Sequence, residues 1–323
     1  MQRAEDFARD IAGGVTGKIL HLTVDSWIEA PTREQYEASY FSYDGYLERG
    51  LVAAARVLSI ADNPVNRTRV VRSKQDLAAA SDAGMLAIVM GNEGGKVVGR
   101  DPALVDAWQR IGLRHIQLNW AMRNLLGASQ SNESEVDRPG LTELGRAVVR
   151  RMNELGMIVD VSHSSPRTIA DVIAVSERPV LNSHSGSRLL ADKPQNLWDD
   201  QIRAMAACGG VIGIHFCSRL VLGANDKQAD KADLVRQVRY VANTGGIDVV
   251  GLGPDWVLGD PERDRNYLRN TSQQDITWTR GFEDSGTASN LIPLLEHEDF
   301  TPVEIEKIVG GNLLRLFNDV LPE

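Results

Sequence analysis

Two histidines close short apolar runs, at Gly156-Met-Ile-Val-Asp-Val-Ser-His163 and Pro179-Val-Leu-Asn-Ser-His184, and a carboxylate closes a third at Ala87-Ile-Val-Met-Gly-Asn-Glu93-Gly-Gly. A β-rich apolar segment that stops at an imidazole or a carboxylate reads as a buried parallel strand whose C-terminal tip delivers a metal ligand. One such histidine alone is more often a hydrogen-bonded structural residue. The chain has only six histidines, however, and these two hold the same place, followed by Ser-Ser and Ser-Gly. Three polar tips of this kind point to a barrel with a metal ion at its mouth.

The elements that must carry these tips alternate along the chain, apolar runs with amphipathic segments, which is the pattern of βα units around a parallel sheet. Strands are expected at Lys18–Asp25, Val52–Ile60, Met85–Met90, Arg114–Asn119, Met157–Val161, Val180–Ser183, Gly210–His215 and Val249–Gly253. Helices are expected at Leu141–Leu155, where Leu144, Val148, Met152 and Leu155 recur at three- and four-residue spacing, and at Asp200–Cys208. Thr301, Pro302 and Glu304 form a helix start, with the cap, the first-turn proline and the acid in their favoured places. A length of 323 residues suits one α/β barrel of the (β/α)₈ type, so residues 1–323 are expected to form a single domain. Polar stretches at 127–140 and 255–286 interrupt the rhythm. The first follows a strand tip and has the position of a lid; the second carries Trp256, Tyr267, Trp278 and Phe282 and reads as a loop packed on the protein.

Lys plus Arg number 35 and Asp plus Glu 44, a net charge of −9, and neither sign gathers into a run. A nucleic-acid partner is not expected without a basic face, and a small-molecule substrate fits better. No stretch reaches the roughly 18 apolar residues of a membrane span, so no membrane partner is expected. Cys208 and Cys217 are too few for a disulfide framework and wrongly spaced for a zinc knuckle, which reads as two reduced thiols in a cytoplasmic protein. Sequence leaves open a removed leader and homo-oligomer formation.

Taken with Asn92-Glu93-Gly94-Gly95, Gly140-Leu-Thr-Glu-Leu-Gly145, the two histidine segments, Gly251-Leu-Gly-Pro-Asp255 and Gly311-Asn-Leu-Leu-Arg-Leu-Phe317, the chain resembles the renal (membrane) dipeptidase family. These are zinc peptidases on a (β/α)₈ barrel within the wider amidohydrolase group. The likeness runs from about Asp25 to Phe317. It implies that Glu93 bridges two zinc ions, that His163 and His184 complete the second ion's shell, and that Asp255 is the proton shuttle. Carboxylate and neutral imidazole both suit zinc.

Departures from the pattern matter as much. Where the family has Asp-Gly-His-x-Asp to hold the first zinc, this chain has Asp25-Ser26-Trp27-Ile28-Glu29, and an indole N–H cannot bind a cation. Glu29 or the nearby His21 is left as a replacement ligand, so one firm zinc is expected and a second is open. Trp120 stands where the family places a substrate-contacting histidine or tyrosine, and Gln195 where an arginine grips the substrate carboxylate, with Arg188 and Lys193 close by in sequence. Gln cannot supply a bidentate, charge-assisted clamp. His215 replaces a neutral residue such as Asn and either faces the pocket as a substrate contact or hydrogen-bonds a neighbouring strand.

The expectation is a metal-dependent hydrolase of an amide or dipeptide-like C–N bond, with Glu93, His163 and His184 on the metal and Asp255 as base and then acid. The alternative is a metal-retaining binding protein without peptidase turnover.

Overall fold

The computed structural model of the chain describes residues 3–22, 24, 42, 43, 45–120, 122–132, 140–223, 227–256 and 277–323. The apolar runs become strands β1 (Gly17–His21), β2 (Thr68–Val70), β3 (Leu86–Asn92), β4 (His115–Gln117), β5 (Ile158–Asp160), β6 (Leu181–Ser185), β7 (Val211–Ile214) and β8 (Val250–Leu252). Every residue of β3, β4, β5 and β7 is buried, as expected of parallel strands covered on both faces. One expected strand is wrong. Val52–Ile60 lies within a helix, Tyr46–Ala61, whose buried residues Gly50, Ala54, Val57 and Ala61 recur at four, three and four. The three consecutive alanines favour helix, and the apolar density of the run masked its 3.6-residue period. The second strand is instead the three-residue Thr68–Val70, too short to stand out in sequence. Among the described residues no helix is long and apolar enough to cross a membrane.

The chain divides into two compact units. The unit of Gly17–Val180 and Asn318–Glu323 holds β1 to β5, with β1, β2 and β4 each parallel to β3 and β4 parallel to β5. Gln117 sits opposite Asp160 in the β4–β5 register. Across this pair His115 Nε2 meets Asp160 Oδ2 at 2.8 Å, both side chains fully buried. The other Asp160 oxygen accepts the Ser162 backbone N–H at 2.8 Å, so the carboxylate is held from two directions just before the chain reaches His163. Gly91 on β3 makes room for this pair, since a Cβ there would lie 2.4 Å from His115 Nδ1. The Tyr46–Ala61 helix is tied to the segment after β3 by buried Lys96, whose ammonium donates to the Tyr46 hydroxyl at 3.1 Å and faces that ring at 4.3 Å.

The unit of Met1–Thr16 and Leu181–Phe317 holds β6, β7 and β8, parallel and in that order. Gly213 on β7 and Gly253 just past β8 both crowd the Ser183 carbonyl, where a Cβ would approach to 2.0 and 1.9 Å. The strand tips therefore close together only because neither position carries a side chain. Behind them, Asn312 of the Gly-Asn-Leu-Leu segment donates to the carbonyls of Ile247 and Val250, each at 2.8 Å, stitching the final helix to the start of β8. The expected helices form at Glu143–Glu154 and Asp199–Ala207, and Thr301 opens Pro302–Glu306 with a reciprocal capping box to Glu304.

Two outcomes follow for stability. His115→Ala strands Asp160 without its imidazole in a fully buried position and should cost about 3–5 kcal/mol in denaturant unfolding; a loss under about 1 kcal/mol would show that the pair does not brace β4 and β5. Gly253→Ala should cost about 3 kcal/mol or more, because its Cβ meets backbone rather than a movable side chain, and an unchanged Tm would contradict the close approach.

Candidate active site

Glu93 follows directly on β3, at the turn Asn92-Glu93-Gly94-Gly95. Gly94 takes a φ of 94°, and a Cβ on Gly95 would strike Leu126 and the Leu118 carbonyl at 2.3 and 2.7 Å. The Glu-Gly-Gly motif is thus a backbone device: it turns the chain sharply beneath packed neighbours while leaving the carboxylate at the strand tip. His163 lies three residues past β5 with a φ of 63°, a left-handed conformation uncommon for a residue other than glycine. Neighbouring bonds hold it there. Gln130 N–H donates to the His163 carbonyl at 2.8 Å, and the Ser164 hydroxyl donates to Asn119 Oδ1 at 2.9 Å. Glu93 Oε1 and His163 Nε2 face each other at 3.4 Å, both side chains buried.

The first part of the 127–140 stretch packs against this tip. Ser129 and Ser164 form an antiparallel bridge, and Ala128 accepts from Ser165 N–H at 3.0 Å. Residues 133–139, where a lid was expected, lie outside the described residues, as do Asp25, Trp27 and Glu29. Trp120 is half-buried, three residues beyond β4.

In the other unit, His184 sits on β6 where the register against β7 shifts between Asn182 and Ser185, a local irregularity that re-aims a strand side chain. The Ser183 hydroxyl meets His184 Nδ1 at 2.8 Å. Gln195 is buried and donates to the His184 carbonyl at 3.3 Å. Arg188 pairs with Asp192 at 2.8 Å and lies over the Trp198 ring at 4.6 Å.

His215 resolves to a neighbour from the adjacent strand end. Its ring packs edge-on to His184, centroids 5.6 Å apart, and its Nε2 meets Asp255 Oδ2 at 3.2 Å. The Cys217 backbone N–H donates to His215 Nδ1 at 2.8 Å, which makes Nδ1 the acceptor and Nε2–H the donor of the neutral ring. Burial pushes the imidazole down to about 4 against the pull of Asp255, so it is neutral at neutral pH. Burial also pushes the Cys217 thiol up, and both cysteines are unpaired thiols. Asp255 itself takes a φ of 55°. Its flanks are clamped by two indoles: Trp278 donates to the Pro254 carbonyl at 3.2 Å, and Trp256 donates to the Phe282 carbonyl at 3.0 Å. Phe282 and Trp256 both pack edge-on against Phe216, so the described ends of the 255–286 stretch do pack on the protein, while Tyr267 lies outside the described residues.

The described structure therefore joins Glu93 with His163 in one unit, and His184 with Gln195, His215 and Asp255 in the other. His21 lies with His115 and Asp160, their potential ligand atoms within 4.8 Å of one another. The His21 and His115 rings, however, stack at 4.9 Å and 18°, and near-parallel rings do not aim their lone pairs at one cation. Both Asp160 oxygens are also occupied by hydrogen bonds. Sequence reasoning missed His115, Asp160, Ser183 and the Cys217 N–H. Only Asp160 carried a signal, as the lone charge within the run Met157–Val161.

Comparison with known proteins finds similarity along nearly the whole chain. The family model for membrane dipeptidase, peptidase family M19, matches residues 23–321. Dipeptidase tcpJ of Claviceps purpurea (strain 20.1) is 29% identical over 255 residues, 79% of this chain and 56% of the fungal protein. The chain thus spans about half the length of the curated relatives it matches. An amidohydrolase from Pseudomonas aeruginosa superposes with a TM-score of 0.82 at 22% identity, covering 99% of this chain and 94% of that one. A metallo peptidase from Rhodobacter sphaeroides, liganded with a phosphinate mimic of the dipeptide L-Ala-D-Ala, gives 0.79 at 18% identity over 97% and 89%. The fold expected from sequence, a (β/α)₈ barrel of the metal-dependent hydrolase type, is borne out. With the family pattern matched across nearly its full length, the chain belongs to the membrane dipeptidase family of metallopeptidases.

Proposed function

We propose that the chain is a zinc-dependent hydrolase of an amide or dipeptide-like C–N bond, with Glu93, His163 and His184 holding the metal ion and Asp255 moving the proton. The separation of Glu93 and His163 carries this reading. At 3.4 Å it is longer than the 2.7–2.9 Å of a charge-assisted hydrogen bond. Two donors on a tetrahedral zinc, with bonds of ~2.0–2.1 Å, lie about 3.3–3.4 Å apart. One carboxylate with neutral imidazoles is also a donor set that zinc favours. With the Ser183 hydroxyl at Nδ1, Nε2 is the His184 atom we assign to the metal.

When bound, zinc would lower the pKa of a water toward 7 and polarise the substrate carbonyl. The chain's own residues do the rest. Asp255 accepts a proton from the attacking water and returns it to the leaving amine. Gln195 spends its amide on the His184 carbonyl, and Arg188 is engaged by Asp192 and Trp198, so neither presents a guanidinium fork to a substrate carboxylate. We therefore infer a substrate less charged than a free dipeptide, with Trp120 adding apolar surface. Asp25-Ser-Trp-Ile-Glu29, in place of the family's His-x-Asp, leads us to one firmly held ion and an altered first site. Unpaired thiols fit a reducing compartment, and we read the protein as cytoplasmic.

Elemental analysis of the purified protein should find about one equivalent of zinc. Glu93→Gln and His184→Ala should each lose both the metal and turnover on a panel of amides. Asp255→Asn should keep the metal and lower kcat by about 10²–10⁴-fold. Metal without turnover on any amide would favour the binding-protein alternative, and absence of metal after loading with Zn²⁺, Mn²⁺ or Co²⁺ would overturn the site.

A further inference from the structure

We propose that His215 is a positioning residue for Asp255: with its Nδ1 fixed by the Cys217 N–H, it donates Nε2–H to Asp255 Oδ2 and holds the carboxylate in one orientation. The inference rests on the proton-shuttle reading of Asp255 given above and extends it to a residue that the family pattern does not supply. Three observations support it. The backbone hydrogen bond from Cys217 occupies the one acceptor nitrogen of the neutral ring, so a single tautomer remains and its donor faces Asp255. His215 is 4% exposed against 35% for the Asp255 side chain, so the anchor is rigidly packed while the carboxylate reaches toward solvent. Asp255 also has its backbone set already, by a left-handed φ of 55° and the two flanking indole bonds, so the imidazole contact acts on the side chain of a residue whose main chain is fixed.

The arrangement divides the carboxylate. Oδ2 is held by the imidazole, and Oδ1 is the oxygen we assign to proton transfer. A carboxylate free to rotate would present either oxygen at varying distance from the leaving nitrogen, whereas a proton-transfer group works within hydrogen-bond reach. His215 contributes by orientation alone, in the manner of residues that orient catalytic groups from behind.

The test is a mutant cycle on the zinc-loaded, full-length protein, with metal content and Tm measured for every variant. His215→Phe keeps a buried ring without the donor and should lower kcat by about 10- to 100-fold, with KM and zinc content unchanged. His215→Gln, which can again place an N–H near the Nε2 position, should recover most of that loss; a purely structural role would show in Tm and would not be rescued selectively in kcat. In an Asp255→Asn background His215→Phe should add no further loss, because the two residues act as one unit. Full kcat in His215→Phe, or losses that multiply in the double variant, would overturn the proposal while leaving the hydrolase reading intact. If the native protein turns over no amide, the hydrolase reading fails, and ¹⁵N imidazole NMR still decides this one, with His215→Gln used for assignment. An Nε2–H tautomer whose shifts move on Asp255→Asn supports the positioning role, and an Nδ1–H tautomer overturns it.

Discussion

A buried carboxylate facing a buried imidazole at 3.4 Å is the interaction on which the first unit's strand tips depend. Removing an ionised carboxylate from water is costly unless a cation, a metal or several donors answer it, and the Glu93 side chain is buried. The structure meets the demand by geometry. Gly94 and Gly95 let the chain turn without side chains in the way, and His163 is brought across by a left-handed backbone that the 127–132 segment holds in place. The His115–Asp160 pair fixes β5 one turn of chain earlier, so that His163 starts from a rigid base.

The second unit solves the equivalent problem differently. Its polar tip residues are restrained by neutral hydrogen bonds: Ser183 on His184, Gln195 on the His184 carbonyl, and the Cys217 N–H on His215. His163 and Asp255 are both non-glycine residues with positive φ three residues beyond a parallel strand. Such conformations persist only where surrounding bonds over-determine them, and both residues have such bonds: Gln130 to the His163 carbonyl, and two tryptophan indoles about Asp255. Strain and its restraint sit together at the residues we propose as a metal ligand and as the proton carrier.

Much of this was legible in the chain itself. A parallel strand buried on both faces is a run of apolar residues, so β3, β5, β6 and β7 announce themselves, and a polar residue that ends such a run has nowhere to be but the tip. Glu93, His163 and His184 were visible for that reason. Val52–Ile60 misled because an alanine-rich helix packed along one stripe has nearly the same composition as a buried strand, and Thr68–Val70 is too brief to carry a pattern. Partnerships across the sheet were not legible, because they depend on register. That Asp160 meets His115 follows from the pairing of β4 with β5, and that His215 meets Asp255 from β7 lying beside β8. The glycines at 213 and 253 carry meaning only once the Ser183 carbonyl between them is located.

Cys217 illustrates how an apparent functional residue can matter for a reason unrelated to its side chain. Its thiol is buried and kept protonated, which makes it a poor nucleophile and a slow target for oxidants. What it contributes is an amide hydrogen aimed at His215. Every amino acid but one carries that hydrogen, so genetic drift at this codon is limited by volume rather than by sulfur chemistry. Serine or alanine could stand in, and proline is the one replacement that would erase the contribution outright.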